Sequence, residues 1–175
     1  CAEPLLDDAI KEGNGTKKAL IMDEGEWSYA DLQKDSNQIA RVLVEDLNMI
    51  PGNRVLLRAP NSYSMLAAWF GVIKAGGVAV STMPLLRSVE LQTIINKARV
   101  SIAFCDSRLM EELEKVKSGS CLEQLVSFRD GELDERKKGK PVDFENLSTF
   151  REDPCMIAFT SGTTGKPKAA VHSHQ

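Results

Sequence analysis

Short apolar, β-prone runs alternate along this chain with longer stretches whose apolar residues recur at three- and four-residue spacing. That alternation constrains the fold more than any other feature. Residues 19–22 (A-L-I-M) form the first run, and residues 26–28 can pair with it across a turn at Asp23 to Gly25. Ser28 then opens S-Y-A-D, with Asp31 three residues on, the pattern of a reciprocal helix cap. Leu32, Ile39, Ala40, Leu43, Val44 and Leu47 follow at helical spacing, and Pro51-Gly52 sets a stop near Asn48. Residues 54–59 (R-V-L-L-R-A) read as a buried strand, because the apolar residues run on without alternating. Asn61 or Ser62 caps the next helix; Met65, Leu66, Trp69, Phe70 and Ile73 mark its apolar face, and Gly76-Gly77 ends it. Residues 78–80 are strand-like. Ser88 opens a helix bearing Leu91, Ile94, Ile95 and Ala98. Residues 101–105 are the next strand, and Asp106 or Ser107 caps a helix with Leu109, Leu113 and Val116. Residues 125–128 and 155–160 complete the series of strands. Strands alternating with helices in this way mean βαβ units, hence an α/β fold with a mostly parallel sheet and helices on both faces.

Composition narrows the function classes. The 175 residues are enough for one sizeable core, and 42% hydrophobic with 27% charged residues excludes disorder throughout. Lys and Arg total 22 against 25 Asp and Glu, a net charge of −3, which argues against a nucleic-acid partner. No apolar run approaches the roughly 20 residues of a membrane helix, and no basic segment followed by an apolar one opens the chain as a secretory leader would. The four cysteines, Cys1, Cys105, Cys121 and Cys155, form no C-x-x-C pair, and the only histidines are His172 and His174, so no metal site is expected. Cys105 and Cys155 lie in apolar runs and read as small buried hydrophobes, which suits a reducing, cytoplasmic compartment. Residues 130–141 (D-G-E-L-D-E-R-K-K-G-K-P) are charged and nearly free of apolar side chains, and are expected to form a mobile surface loop. Asp7, Asp8, Glu24 and Glu26 read as solvated, while Met65, Trp69 and Phe70 read as core. The chain opens at Cys1 and ends at Gln175, directly after its most informative motif, so it is expected to be a piece of something longer.

That motif follows the run C-M-I-A-F-T. Thr160 leads into Ser161, Gly162, Thr163, Thr164, Gly165, Lys166, Pro167 and Lys168, and then Ala169, Ala170, Val171 and His172. Gly162 and Gly165 allow backbone angles closed to other residues, so successive N–H groups can point at one spot and attract an anion. Thr160, Ser161, Thr163 and Thr164 add hydroxyl donors, and Lys168 adds a formal charge; Lys166 reads as a solvated lysine. The ligand such a loop suits is a polyphosphate. A Walker loop requires G-K followed by Ser or Thr at the start of a helix, and here Lys166 precedes a proline that disfavours helical angles. Ala170 and Val171 suit a strand, so the loop is expected to join two strands with no helix dipole behind the anion.

The twelve residues I-A-F-T-S-G-T-T-G-K-P-K resemble the phosphate-loop signature of the adenylate-forming, AMP-binding enzymes, which include acyl- and aryl-CoA synthetases, peptide-synthetase adenylation domains and luciferases. W-S-Y-A-D-L at 27–32, G-N-R-V at 52–55 and A-A-W-F-G-V-I-K-A-G-G-V-A-V at 67–80 are similar to further segments of that family. T-M-P-L-L-R-S-V-E-L at 82–91 and the alanine after Pro167-Lys168 look most like the aryl- and medium-chain acyl-CoA ligases, of the 2-aminobenzoate–CoA ligase type. The resemblance implies that residues 1–175 are the N-terminal portion of the large ATP-binding domain, cut after the phosphate loop. It implies ATP, Mg²⁺ and coenzyme A as cofactors, a small aromatic or medium-chain carboxylic acid as partner, and an acyl-adenylate converted to an acyl-CoA thioester. It also implies that Thr160, Ser161, Gly162, Thr163, Thr164, Gly165 and Lys168 hold the ATP phosphates, with Lys168 neutralising charge during the reaction, and that His174 lies near the acid. The family's base-, ribose- and acyl-binding segments are not in these residues, so the 175-residue piece is expected to be inactive alone. Two other readings stay open: a P-loop-type nucleotide module, which requires a helix after Lys168, and a non-catalytic binding domain that kept the fold.

Overall fold

The structure is a computed structural model that describes residues 2–160 and 167–175. After a wide first turn at Glu3–Asp7 come α1 (Asp8–Lys11), β1 (Lys18–Met22), β2 (Gly25–Ser28) and α2 (Tyr29–Arg41), the last extended by a π-type turn at Val42–Asp46. Then follow β3 (Arg54–Arg58), α3 (Tyr63–Lys74), β4 (Val78–Thr82), α4 (Ser88–Ala98), β5 (Val100–Asp106), α5 (Met110–Lys117) and β6 (Gln124–Phe128). The series closes with α6 (Glu132–Lys137), β7 (Pro154–Thr160) and β8 (Lys168–Ser173).

Local chemistry explains most boundaries. At the start of α2, the Asp31 amide donates to Ser28 Oγ (3.1 Å) and the Ser28 amide donates to the Asp31 carboxylate (2.9 Å), the reciprocal cap expected from the sequence. Ser62 caps α3 by accepting from the Met65 amide. Gly76, at φ +71°, ends α3 with a left-handed turn that a side chain would strain. Asp106, not Ser107, caps the turn ahead of α5, accepting from the Arg108 amide at 3.0 Å.

β1 and β2 form a small antiparallel hairpin. The main sheet has the order β6-β5-β3-β4-β7-β8; the pairs β6–β5, β5–β3, β3–β4 and β4–β7 are parallel, and β8 runs antiparallel at the edge. Successive residues of its inner strands feed opposite cores, as a period of two requires. Val55, Leu57, Ala79, Ile102 and Phe104 pack in one cluster with residues of α2 and α3. Leu56, Val80, Ala103 and Cys105 pack in the other with residues of α4 and α5. This is the expected α/β arrangement, with a mostly parallel sheet covered on both faces. Helices α2 and α3 cross so closely at Gly71 that a Cβ there would lie 2.7 Å from Ile39 Cγ2. Among the described residues, no helix is long and apolar enough to cross a membrane.

Two readings of the sequence need revision. Residues 130–141, read as a surface loop, contain α6, whose Leu133 is buried. Glu132 accepts from the Ser127 amide at 2.7 Å, and the Lys140 carbonyl accepts from Gln38 at 2.8 Å. A single apolar residue, a bond five residues back and one across 102 residues suffice to dock the segment, which a composition window averages away. Asp7, read as solvated, is buried: both its carboxylate oxygens accept from Lys74 Nζ, at 2.6 and 2.7 Å.

Candidate functional site

In a parallel sheet the carboxyl ends of the strands share one edge, where loops diverge and ligands bind. The connection from β7 to β8 leaves from that edge. Thr160 is the last residue of β7, and it pairs directly with Lys168, the first of β8. Both are exposed, so a hydroxyl and an ammonium face solvent side by side where the connection departs and returns. Ser161, Gly162, Thr163, Thr164, Gly165 and Lys166 lie outside the described residues. The carbonyl of Pro167 accepts from Lys97 Nζ of α4 at 2.9 Å, a tie that motif reading misses because Lys97 lies 70 residues away. A strand follows Lys168, so the helix that a P-loop-type module needs is not formed, and that reading has no support.

His174 stands apart from this pair. Six positions beyond Lys168, it lies about 20 Å along β8 at ~3.3 Å per residue. Its amide donates to the Asp153 carbonyl, next to the start of β7 and hence at the opposite edge of the sheet. It borders a cavity of about 500 Å³ together with Lys74, Asn146 and Arg151. Burial pulls the His174 imidazole below its ordinary value, partly countered by Asp153. The structure therefore brings Thr160 and Lys168 together and does not bring His174 to them.

The buried pair Asp7–Lys74 lies at the edge that His174 occupies, where α3 ends. Gln33 Nε2 (2.8 Å) and Asn146 Nδ2 (2.7 Å) also donate to the Asp7 carboxylate, and Lys74 reaches Asn146 Oδ1 at 3.2 Å. Burial opposes ionisation of Asp7, but the hydrogen bonds from Gln33, Lys74 and Asn146, with the lysine charge, hold its carboxyl below the ordinary value. The network ties the first turn, α2, α3 and the segment before β7 together, and its fully bonded state marks it as structural. A lysine inside the otherwise apolar stretch W-F-G-V-I-K-A-G is the sequence signal for a buried partner.

At the loop edge Thr82, Asp106 and Ser127 are buried polar residues, and so is Arg58, the last residue of β3 and only 1% exposed. Its guanidinium donates to the carbonyls of Met83 (3.0 Å), Pro84 (3.0 Å) and Leu86 (2.7 Å), just beyond β4. A second cavity, about 660 Å³ and mainly apolar, lies between the β1–β2 hairpin and α3, lined by Leu20, Ile21, Met65, Leu66, Trp69 and Phe70. Among the described residues, no group of three or more His, Cys, Asp or Glu side chains could hold a metal ion.

Comparison with known proteins adds independent findings. A family model described as AMP-binding enzyme matches residues 7–175. The uncharacterized acyl–CoA ligase YtcI of Bacillus subtilis is 29% identical over 171 residues, covering 91% of this chain and 32% of that protein. The crotonobetaine/carnitine–CoA ligase of Salmonella paratyphi A is 31% identical over 186 residues, covering 95% of this chain and 35% of that protein. Among solved structures, the anthranilate CoA ligase AuaEII in complex with anthranoyl-AMP superimposes with a TM-score of 0.92 and 25% identity, over 99% of this chain and 33% of that one. The chain thus spans about a third of the length of these two curated relatives.

Proposed function

The chain belongs to the AMP-binding enzyme family, and from that premise we propose that it is the N-terminal portion of the large ATP-binding domain of an ATP-dependent carboxylic acid–CoA ligase. Its task there is to grip the phosphates of ATP. The observation that carries the reading is the antiparallel return of β7 into β8, which sets Thr160 opposite Lys168 at the carboxyl edge of a parallel sheet.

In the proposed reaction of the whole protein, a carboxylate oxygen attacks the α-phosphorus of ATP, the bond to the bridging oxygen breaks, and pyrophosphate leaves. The acyl-adenylate is then attacked by the thiol of coenzyme A, which displaces AMP and yields the thioester. The residues of this chain act on the first step. Negative charge grows on the leaving pyrophosphate, and donors already aimed at it lower the barrier without reorganising. The ammonium of Lys168 supplies charge, the hydroxyls of Thr160, Ser161, Thr163 and Thr164 supply donors, and Gly162 and Gly165 let backbone N–H groups approach the phosphates. Among the described residues, no cluster of three or more Asp, Glu, His or Cys side chains is placed to hold the Mg²⁺ that the resemblance implies. The substrate class is an aromatic or medium-chain acid; support comes from the resemblance at residues 82–91 and from the likeness to AuaEII, whose bound adenylate is that of anthranilate, which is 2-aminobenzoate. The acid-binding role of His174 rests on the resemblance alone, since its edge of the sheet is remote from Lys168.

Titration calorimetry of the 175-residue chain with ATP and with tripolyphosphate tests the phosphate grip. Both are expected to bind weakly, with about tenfold loss in Lys168→Ala, the loss of roughly one charge-assisted contact. No heat with either ligand, or equal affinity in the variant, removes the proposal. Pyrophosphate exchange by the intact protein against aromatic and medium-chain acids tests the reaction. Exchange independent of any acid points instead to a binding domain that merely kept the fold. The chain alone is expected to form no acyl-adenylate.

A further inference from the structure

The two edges of the main sheet are finished differently. At one edge, β6 is closed. Its Val126, Ser127 and Phe128 are buried, Leu133 of α6 joins the same core cluster, and the Ser127 amide and hydroxyl both donate to the Glu132 carboxylate, at 2.7 and 2.8 Å. At the other edge, β8 lies open. Among the described residues, no strand pairs with its outer side. Lys168, Ala169, Ala170, Val171 and His172 are all exposed, Val171 to 61%, so both faces of the strand are bare as well as its edge. Backbone N–H and C=O groups along such an edge are a template for another strand, and folded chains ordinarily blunt it with charge, proline or a covering segment. Here the proline and the lysine stand only at the amino end, at Pro167 and Lys168; residues 169–173 contain neither.

Independently of the phosphate reading, we propose that β8 is the contact between two copies of this chain, which pair antiparallel, β8 against β8, and continue the sheet across a two-fold axis. Charge decides the direction. Parallel pairing in register sets one Lys168 beside the other, whereas antiparallel pairing carries the two about 14–20 Å apart, at ~3.4 Å per residue with Ala170 or Val171 on the axis. It also swings each Lys168 toward the far end of the other copy's β8, the end where Glu152 and Asp153 precede β7 and the Asp153 carbonyl accepts from the His174 amide. The strand suits its own reverse. Small Ala169 and Ala170 and β-branched Val171 occupy its middle, where facing side chains of an antiparallel pair meet. Because the same patch serves both copies and the β6 edges stay covered, the contact closes on itself and gives a dimer, not a filament.

Sedimentation equilibrium of the 175-residue chain in reducing buffer, from about 5 to 500 µM, reads the association. A dimer is expected to form within that range, the affinity of a small contact made largely of backbone bonds. Val171→Lys puts a like charge on both copies, at the axis or one residue from it, and should raise the dissociation constant by about tenfold or more. Val89→Lys, at a position of α4 that is 73% exposed, should leave it unchanged. Hydrogen exchange of the parent chain gives a second reading that needs no variant. Outward amides of residues 169–173 should slow by about fivefold or more between the ends of the concentration range, while those of β6 stay constant. A chain that remains a monomer throughout, its edge left to some other strand, overturns the proposal. So does a dimer that Val171→Lys spares, or one whose formation leaves exchange in β8 unchanged.

Discussion

Removing one partner of the pair Asp7–Lys74 is the sharpest test of how this fold is held together. The two partners are not equivalent. In Lys74→Met the Asp7 carboxylate loses an ammonium at 2.6 Å but keeps donors from Gln33 at 2.8 Å and Asn146 at 2.7 Å. In Asp7→Ala the ammonium, 1% exposed, is left with Asn146 Oδ1 at 3.2 Å. Breaking a buried pair costs about 3–5 kcal/mol, and the surviving donors put Lys74→Met near the lower end and Asp7→Ala near the upper. Replacing both by apolar residues, Asp7→Leu with Lys74→Met, should cost less than either single change, because no buried charge is then left alone. Urea unfolding followed by circular dichroism reads this directly: about 3 kcal/mol at a slope of ~2 kcal/mol per molar shifts the midpoint by roughly 1.5 M. A thermal midpoint should fall by about 6–12 °C for a chain of this size. A loss below about 1 kcal/mol for either single variant, or Asp7→Ala milder than Lys74→Met, refutes the reasoning, since it would mean the pair is solvated or its carboxylate is held by the amides alone.

Three further outcomes are expected. Because the folded Asp7 carboxyl lies below the ordinary 3.8, its contribution is complete above that value and disappears as the pH falls through 3.8 toward the folded value; acid titration of stability should show this limb, and Asp7→Asn should flatten it. Gly71→Ala should destabilise the chain by about 1–3 kcal/mol, although alanine favours helices, because its Cβ would meet Ile39 Cγ2 at 2.7 Å and the Ser36 carbonyl at 3.1 Å; unchanged stability would show that α2 and α3 can separate freely. Burial pushes the Cys105 thiol up to about 12, so alkylation at pH 8 followed by peptide mapping should label exposed Cys121 while Cys105 stays unlabelled until the chain unfolds.

Both the fold and the family were legible in the residues, and the reason is local. Caps such as Ser28 with Asp31, the continuous apolar run of β3 and the stop at Gly76 each act within a few residues, so their signals survive in a linear reading. The alternation of short and long segments then leaves a parallel sheet with two covered faces as the consistent solution. The motif from Thr160 to Lys168 was equally plain, since its glycines, hydroxyls and lysines lie in one run.

What the sequence could not determine depends on partners far apart in the chain. Asp7 finds Lys74 across 67 residues, Arg58 finds Leu86 across 28, and Lys97 finds Pro167 across 70. No spacing rule links such positions, because each pairing exists only after the sheet has ordered its strands β6-β5-β3-β4-β7-β8. The extended run of β8 separates Lys168, its first residue, from His174, which lies just past its far end beside Asp153. Local propensity and pattern decide which elements form; only the packed sheet decides which charges lose water and which side chains share an edge.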